Sequence, residues 1–405
     1  MISGLSGYLV TWRVFTASGA AGYAVFSVFW SALFLVVGVL FGVQQEATRA
    51  VAQAERDAAA AGPARRTSVW LFAAGLAVLV LVVVLASSLL WAAPSLGPAN
   101  AGLSVFVAVG AAFNCLVAAG SGVMAGSGMW RQLAAVVALD GILRVALVLL
   151  ALAVTSATWV LALAVILPFP LALGAVFLSA PRELLRRALV PERMRALAAN
   201  TVRTMIAASA TAVLINGFPL ILSFFASPSA HRALGSLVLA VTLTRAPILV
   251  PLMALSSFLV SQFARAPHGT GRLVTRLSAL IAAVVAVLCL CAWLFGVPVV
   301  VAVFGAQFDL GAGTLTALVA SSGMIGVLCV TGSAVLARNL HGGYAIGWVA
   351  ASVVTIALLF LPLPLEGRAA LALAAGPAVG IAVHLWYLRR PVASKPAPSN
   401  AEEAM

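Results

Sequence analysis

From Ser68 to Ala92 the chain reads SVWLFAAGLAVLVLVVVLASSLLWA, without a single charged residue. A bilayer core about 30 Å thick is crossed by about 20 residues of helix, so this stretch has the length and the composition of a membrane span. Working outward, ten more runs of the same kind are expected to be helical, at 20–43, 100–123, 131–155, 158–179, 202–226, 234–262, 274–296, 312–336, 343–363 and 367–388. The 405-residue chain is 63% hydrophobic and 8% charged, with a mean hydropathy of +1.15. A soluble domain needs about 25% charged residues to cover its surface, so the soluble classes are excluded. The net charge of +13 would suggest nucleic acid in a soluble protein. Here the basic residues fall between the apolar runs and set orientation instead, so no nucleic-acid partner is expected and membrane lipids are the surroundings.

A twelfth candidate span, 1–15, is short and carries Arg13 near its end; either the helix is short or the true start lies upstream. No cleavable signal peptide is evident, because the first twelve residues carry no basic residue and the apolar stretch after Ala17 is too long for a signal's apolar segment. With twelve spans and an inside N-terminus, 18 basic residues fall inside, 3 (Arg13, Arg232, Arg368) outside and two (Arg144, Arg245) within spans. That split satisfies the positive-inside rule and predicts a multi-pass protein of the cytoplasmic membrane with both termini cytoplasmic. Trp12, Trp70, Trp91, Trp130, Trp159 and Trp386 fall near span ends, where amphipathic rings favour the interface. The four cysteines lie in apolar runs and are read as small hydrophobes, with no disulfide or metal site expected.

Two sequence landmarks recur. Phe41-Gly-Val-Gln-Gln-Glu-Ala47 and Phe258-Leu-Val-Ser-Gln-Phe-Ala264 share F-x-V-x-Q-x-A at an offset of 217. Gly120-Ser-Gly-Val-Met-Ala125 and Gly332-Ser-Ala-Val-Leu-Ala337 share G-S-x-V-x-A at an offset of 212. Both pairs sit at inner helix ends, which predicts a duplication. The expected organisation is an N-terminal six-helix half over 1–190 with a short first helix, a C-terminal six-helix half over 191–390, and a disordered Pro-, Ser- and Ala-rich tail over 391–405. Six spans per half make the repeats parallel, and such a pair encloses a central cavity.

Enzyme motifs are absent: there is no P-loop, no HExxH and no G-x-S-x-G, and the outside loops hold little beyond His231, Arg232, Asp309 and Glu366. The chain is therefore read as a non-enzyme that needs no cofactor. Polar groups within spans carry the information, since a charge at the bilayer centre costs about 2.5–3.5 kcal/mol on insertion scales. Asp140 and Arg144 are four apart on one helix face, either as a neutralised pair or with Asp140 serving ion coupling. Arg245 has no acidic partner in its own helix, and Pro247 should loosen the backbone beside it. Arg144 and Arg245 are the candidate anion contacts of a cavity. Asn114 and Asn216, near mid-depth, are interhelical glue or cavity polar groups. Thr242 and Thr244 say little, and His384 is read as interfacial.

The run Arg13-Val-Phe-Thr-Ala-Ser-Gly-Ala-Ala-Gly-Tyr23 resembles the first inter-helix turn of polysaccharide flippases, members of the multidrug/oligosaccharidyl-lipid/polysaccharide exporter (MOP) superfamily. Leu243-Thr-Arg-Ala-Pro247 with Gln262-Phe-Ala-Arg265 looks like their eighth helix, and Val303-Phe-Gly-Ala-Gln-Phe308 like the turn before their tenth. The resemblance spans nearly the whole chain and departs at the short first helix. It implies an all-α, MATE-like, V-shaped transporter that flips a polyprenyl-diphosphate-linked oligosaccharide between leaflets. It also implies glycan polymerase or glycosyltransferase partners. A drug/cation antiporter of the same superfamily and a non-transporting scaffold of a polysaccharide assembly complex are the alternatives.

Overall fold

The computed structural model describes residues 2–57, 67–227, 231–265 and 269–390. The expected tail 391–405, with Arg65, Arg66 and Lys395, lies outside them. The described chain is almost wholly helical. In order it forms α1 (Ile2–Asp57), α2 (Val69–Leu96), α3 (Leu103–Gly126), α4 (Trp130–Val154), α5 (Thr158–Ile166) and α6 (Pro168–Ser179). A short α7 (Pro181–Arg187) leads to α8 (Met194–Ile215), α9 (Phe218–Ser223), α10 (His231–Ala254) and α11 (Ser256–Arg265). Then follow α12 (Thr270–Cys291), α13 (Val297–Phe304), α14 (Ala312–Ala337), α15 (His341–Leu358) and α16 (Leu365–Arg389). Eleven helical stretches among the described residues are long and apolar enough to cross a membrane. The chain is a multi-pass membrane protein.

The first of these stretches reverses direction. Gly19 has φ 70° and ψ 174°, a conformation that a side chain would strain. Around it the Phe15 and Tyr23 rings meet at 5.3 Å, and Gly7 faces the Trp30 indole. Residues 2–18 therefore run antiparallel to residues 20–57. The short arm spans about 25 Å at 1.5 Å per residue; it is the twelfth segment, read from the sequence at 1–15. The long arm continues to Asp57, well past the predicted end at 43.

Proline explains several interruptions. Pro168 opens α6 and divides the 158–179 run, and Pro219 lies in the first turn of α9. Pro247 and Pro251 sit inside α10 without ending it; the helix breaks only at Leu255. Since Pro247 has no N–H, the Leu243 carbonyl loses its usual i+4 donor.

Glycines let backbones touch across the bundle. A Cβ on Gly42 would lie 2.6 Å from Met205 Cα, and Thr204 Oγ1 donates to the Gly42 carbonyl at 2.8 Å, so α1 and α8 pack backbone to backbone. Farther along, Gly235 of α10 packs onto the Ala20 carbonyl beside the Gly19 turn. The two turns quoted from the sequence meet here: Phe15 packs on Phe304 at 5.7 Å, and Gln307 Nε2 donates to the Phe15 carbonyl at 3.5 Å. The repeat landmarks also contact one another. Gly122 of α3 packs on Ala47 and the Gln44 carbonyl, and Ala334 of α14 clusters with Leu259 and Phe263 of α11.

One end of the bundle is rich in ion pairs. Arg49 binds Glu46 at 2.5 Å and Glu192 at 2.9 Å, while Arg187 binds Glu183 at 2.5 Å and Glu55 at 3.2 Å. These contacts fasten the long arm of α1 to α7 and to the segment before α8. Glu46, with Glu192, raises the Arg49 pKa above its ordinary value, and Arg187 lowers that of Glu183. Two residue pairs of antiparallel strand, Thr67–Ser68 with Leu189–Val190, complete this arginine-rich end. The described cysteines are all free.

Candidate functional site

A cavity of about 500 Å³ opens between the first six and last six segments. The short arm of α1 contributes Gly7, Tyr8 and Thr11 to its wall. The long arm contributes Tyr23, Phe26, Ser27, Trp30, Ser31 and Phe34, which recur at intervals of three and four and so share one helix face. From α10 come Val238, Val241, Thr242, Arg245, Leu249 and Val250, again at helical spacing. Ile215, Asn216 and Pro219 come from the α8–α9 corner, and Arg144 from α4.

Both arginines singled out in the sequence therefore line one cavity. Arg144 is 4% exposed; Nη2 donates to Asp140 at 2.5 Å and Nε to the Val165 carbonyl at 3.4 Å. Its guanidinium lies 5.1–6.0 Å from the ring centroids of Phe169, Phe34 and Trp30. Such aromatic faces attract a cation by about 0.5–2 kcal/mol each, more where water is excluded. Arg245 is 6% exposed; Nη1 donates to the Leu214 carbonyl at 3.2 Å, and the Phe218 ring lies 5.3 Å away. Its Nη2 is buried and has no hydrogen-bond partner among the described residues. Arg245 is thus not paired with Asp140, which is committed to Arg144.

The remaining candidates divide. Asn216 lines the cavity, and its carbonyl accepts from Ser31 Oγ at 2.5 Å. Asp140 is not among the lining residues and stands behind Arg144. Asn114 is buried in α3 away from the lining, because α3 packs on the opposite face of α1: Gly110 abuts Leu33, not the cavity-facing Trp30. His384 is fully buried between α14 and α15 instead of reaching the interface. Reading charged residues alone missed the stripe from Tyr23 to Phe34 and the cluster of Tyr23 with Thr11 and Thr242. Serines and aromatic rings at 3.6-residue spacing within an apolar run were the available signal.

No family model matches the chain. It is 34% identical over 397 residues to the uncharacterized protein Rv3630 of Mycobacterium tuberculosis, covering 96% of this chain and 90% of that protein. It is 34% identical over 387 residues to the uncharacterized protein Rv1510 of the same organism, covering 91% and 85%. Among solved structures, an inward-facing multidrug resistance MATE family transporter of the MOP superfamily superposes with a TM-score of 0.70, at 16% identity over 95% of this chain and 93% of that one. The lipid II flippase MurJ in an inward closed conformation gives 0.65 at 13% identity, over 96% and 87%. A MOP superfamily transporter from Pyrococcus furiosus, described as having a binding pocket of reverse polarity, gives 0.61 at 17% identity, over 96% and 95%. The chain shares the fold of these transporters.

Proposed function

The chain belongs to the same family as these uncharacterized mycobacterial proteins, and we propose that it is a transporter whose cavity takes an anionic, lipid-linked substrate. One observation carries the reading: two guanidiniums line one cavity, and no carboxylate is among its lining residues. With Asp140 counted behind Arg144, the site keeps an excess of one positive charge. An organic cation would meet repulsion there, which disfavours the drug antiporter. A scaffold would have no use for a buried charged cavity. Arginine presents a planar fork to phosphate oxygens, and the unpartnered Nη2 of Arg245 is a donor available for one.

The finer reading is a polyprenyl-diphosphate-linked oligosaccharide, flipped from the inner to the outer leaflet. Arg144 and Arg245 bind the diphosphate, and Asn216 with the hydroxyls of Tyr8, Thr11, Ser27 and Thr242 faces the sugars. The two halves, 1–190 and 191–390, would move about this site, with both termini cytoplasmic because basic residues crowd that face. Glycan polymerases or glycosyltransferases are the partners such a substrate requires. The test is binding of farnesyl diphosphate and of tetraphenylphosphonium to the purified chain in nanodiscs, followed by intrinsic fluorescence, to which Trp30 in the cavity wall contributes. Diphosphate binding that is lost in Arg245→Ala supports the reading. Preference for the phosphonium sinks it.

A further inference from the structure

The last three helices enclose an imidazole that the cavity does not use. His384 of α16 is 0% exposed. Two glycines hollow the space for its ring: a Cβ on Gly332 would sit 3.4 Å from Cε1, and one on Gly347 would overlap Nε2. Nε2 lies 3.2 Å from the Tyr344 carbonyl, which only accepts, so this nitrogen holds a proton. Nδ1 lies 3.1 Å from Thr331 Oγ1. That hydroxyl has two further acceptors within reach, the Val327 carbonyl at 3.0 Å and the Leu328 carbonyl at 3.1 Å.

The arrangement satisfies the ring in both charge states. With neutral His384, the Thr331 hydroxyl donates to Nδ1. When a proton binds Nδ1, the new N–H donates to Oγ1, and the hydroxyl proton turns to Val327 or Leu328. No hydrogen bond is lost in either state, and nothing but one hydroxyl rotor has to move.

The charge itself is not compensated. The titratable and charged groups near this end of the three helices are Cys329 and Arg338 on α14, His341 and Tyr344 on α15, and Tyr387, Arg389 and Arg390 on α16. None is a carboxylate; Arg338 is turned to the Leu388 carbonyl, and Tyr344 stacks on the imidazole at 6.1 Å. The imidazolium thus favours any conformation that lets water or a counter-charge reach it. His384 lies about one and a half turns from the end of α16 that carries Arg389 and Arg390.

A packed path joins the ring to the cavity. Tyr344 and Cys329 lie against a cluster of Ala210, Leu214, Leu328, Trp348 and Ala351, and the Leu214 carbonyl holds Arg245 Nη1. We propose that His384, with Thr331 as its reversible partner, is a proton-binding site in the second half of the molecule whose occupancy is coupled to anion binding at Arg245. The coupling rests on the proposed function; the proton site stands without it.

The experiment uses the full chain in nanodiscs with 15N-labelled histidine, which labels four residues, His231, His268, His341 and His384. The signals missing from His384→Gln should pass reversibly from the Nε2–H tautomer to the imidazolium between about pH 8 and about pH 5, where imidazoles exchange charge. Thr331→Val keeps the shape and removes the partner, and should lower the midpoint by about one pH unit. Because that variant changes little volume, it answers even if His384→Gln does not fold. A His384 ring that keeps one tautomer throughout the titration overturns the proposal. Saturating farnesyl diphosphate should then move the midpoint by about half a unit, a threefold linkage. If that probe binds and the midpoint stays, the coupling is refuted; if it does not bind the wild-type chain, the cavity reading fails while the titration still decides the proton site.

Discussion

Gly42→Ala tests the backbone contact that joins the first six segments to the last six. The added methyl would sit 2.6 Å from Met205 Cα and 2.6 Å from the Thr204 carbonyl carbon. Carbon atoms pack at about 3.5 Å or more, so α1 and α8 must separate by about 1 Å locally. The neighbours are backbone atoms on a helix, which cannot swing aside as a side chain would. The shift also stretches the 2.8 Å bond from Thr204 Oγ1 to the Gly42 carbonyl. Overpacking of this kind costs about 1–3 kcal/mol, against which alanine returns up to about 1 kcal/mol of helix propensity. Gly174→Ala is the control: it lies in α6, and a Cβ there meets nothing within 4 Å. Thermal or SDS-induced unfolding in one detergent should place Gly42→Ala about 1–2 kcal/mol below wild type and Gly174→Ala at or slightly above it. Equal stability of the two variants would refute the backbone-to-backbone packing of α1 on α8.

Arg245→Lys keeps the charge and loses the fork, so farnesyl diphosphate should bind about tenfold more weakly, with Arg245→Ala weaker still; a lysine variant that binds like wild type would reduce the site to simple charge attraction. Asp140→Asn leaves Arg144 buried without its counter-charge and should cost about 3–5 kcal/mol in detergent unfolding. Adding Arg144→Gln should restore most of that loss, and a double variant no better than the single would deny the pair. At the arginine-rich end Arg187 depresses the Glu183 pKa. A depressed carboxyl stabilises above its unfolded pKa and loses that contribution as pH falls through its folded pKa. Hydrogen exchange over 181–187 should therefore quicken in acid beyond its intrinsic pH dependence, an effect that Arg187→Gln removes.

Membrane class, segment count and the two buried arginines were legible because lipid punishes charge. Arg144 and Arg245 stand out in apolar runs for the same energetic reason that places them at a cavity. Helix ends were less legible. The long arm of α1 runs to Asp57 because Arg49 and Glu55 are held by Glu192 and Arg187, partners more than a hundred residues away. The 234–262 run was read as one helix loosened at Pro247; it continues through the proline, where packing against α1 and α14 holds α10 together past the lost donor, and breaks at Leu255. Asn114 looked equivalent to Asn216 at mid-depth. Only packing shows that α3 stands behind α1, while the α8–α9 corner faces inward. His384 was misread as interfacial because nearness to a helix end says nothing about the glycines that hollow a place for it on neighbouring helices.

The electrostatics of the cavity bear on what it holds. Arg144 and Asp140 neutralise each other, and three aromatic faces surround the guanidinium. That unit would be stable in a closed bundle with no ligand at all. Arg245 is different. It has one carbonyl and one phenyl face, a buried nitrogen without a partner among the described residues, and no carboxylate beside it. An intramembrane guanidinium costs about 2.5–3.5 kcal/mol on insertion scales, and an unmet buried donor costs about 1–3 kcal/mol more. A leucine at this position would spare the bundle both costs, so stability alone does not account for Arg245. An anion in the cavity offsets both at once, by supplying the missing charge and the missing acceptor. On the proposed reading, the same anion would find Arg144 already oriented by Asp140, with the carboxylate as a positioning group.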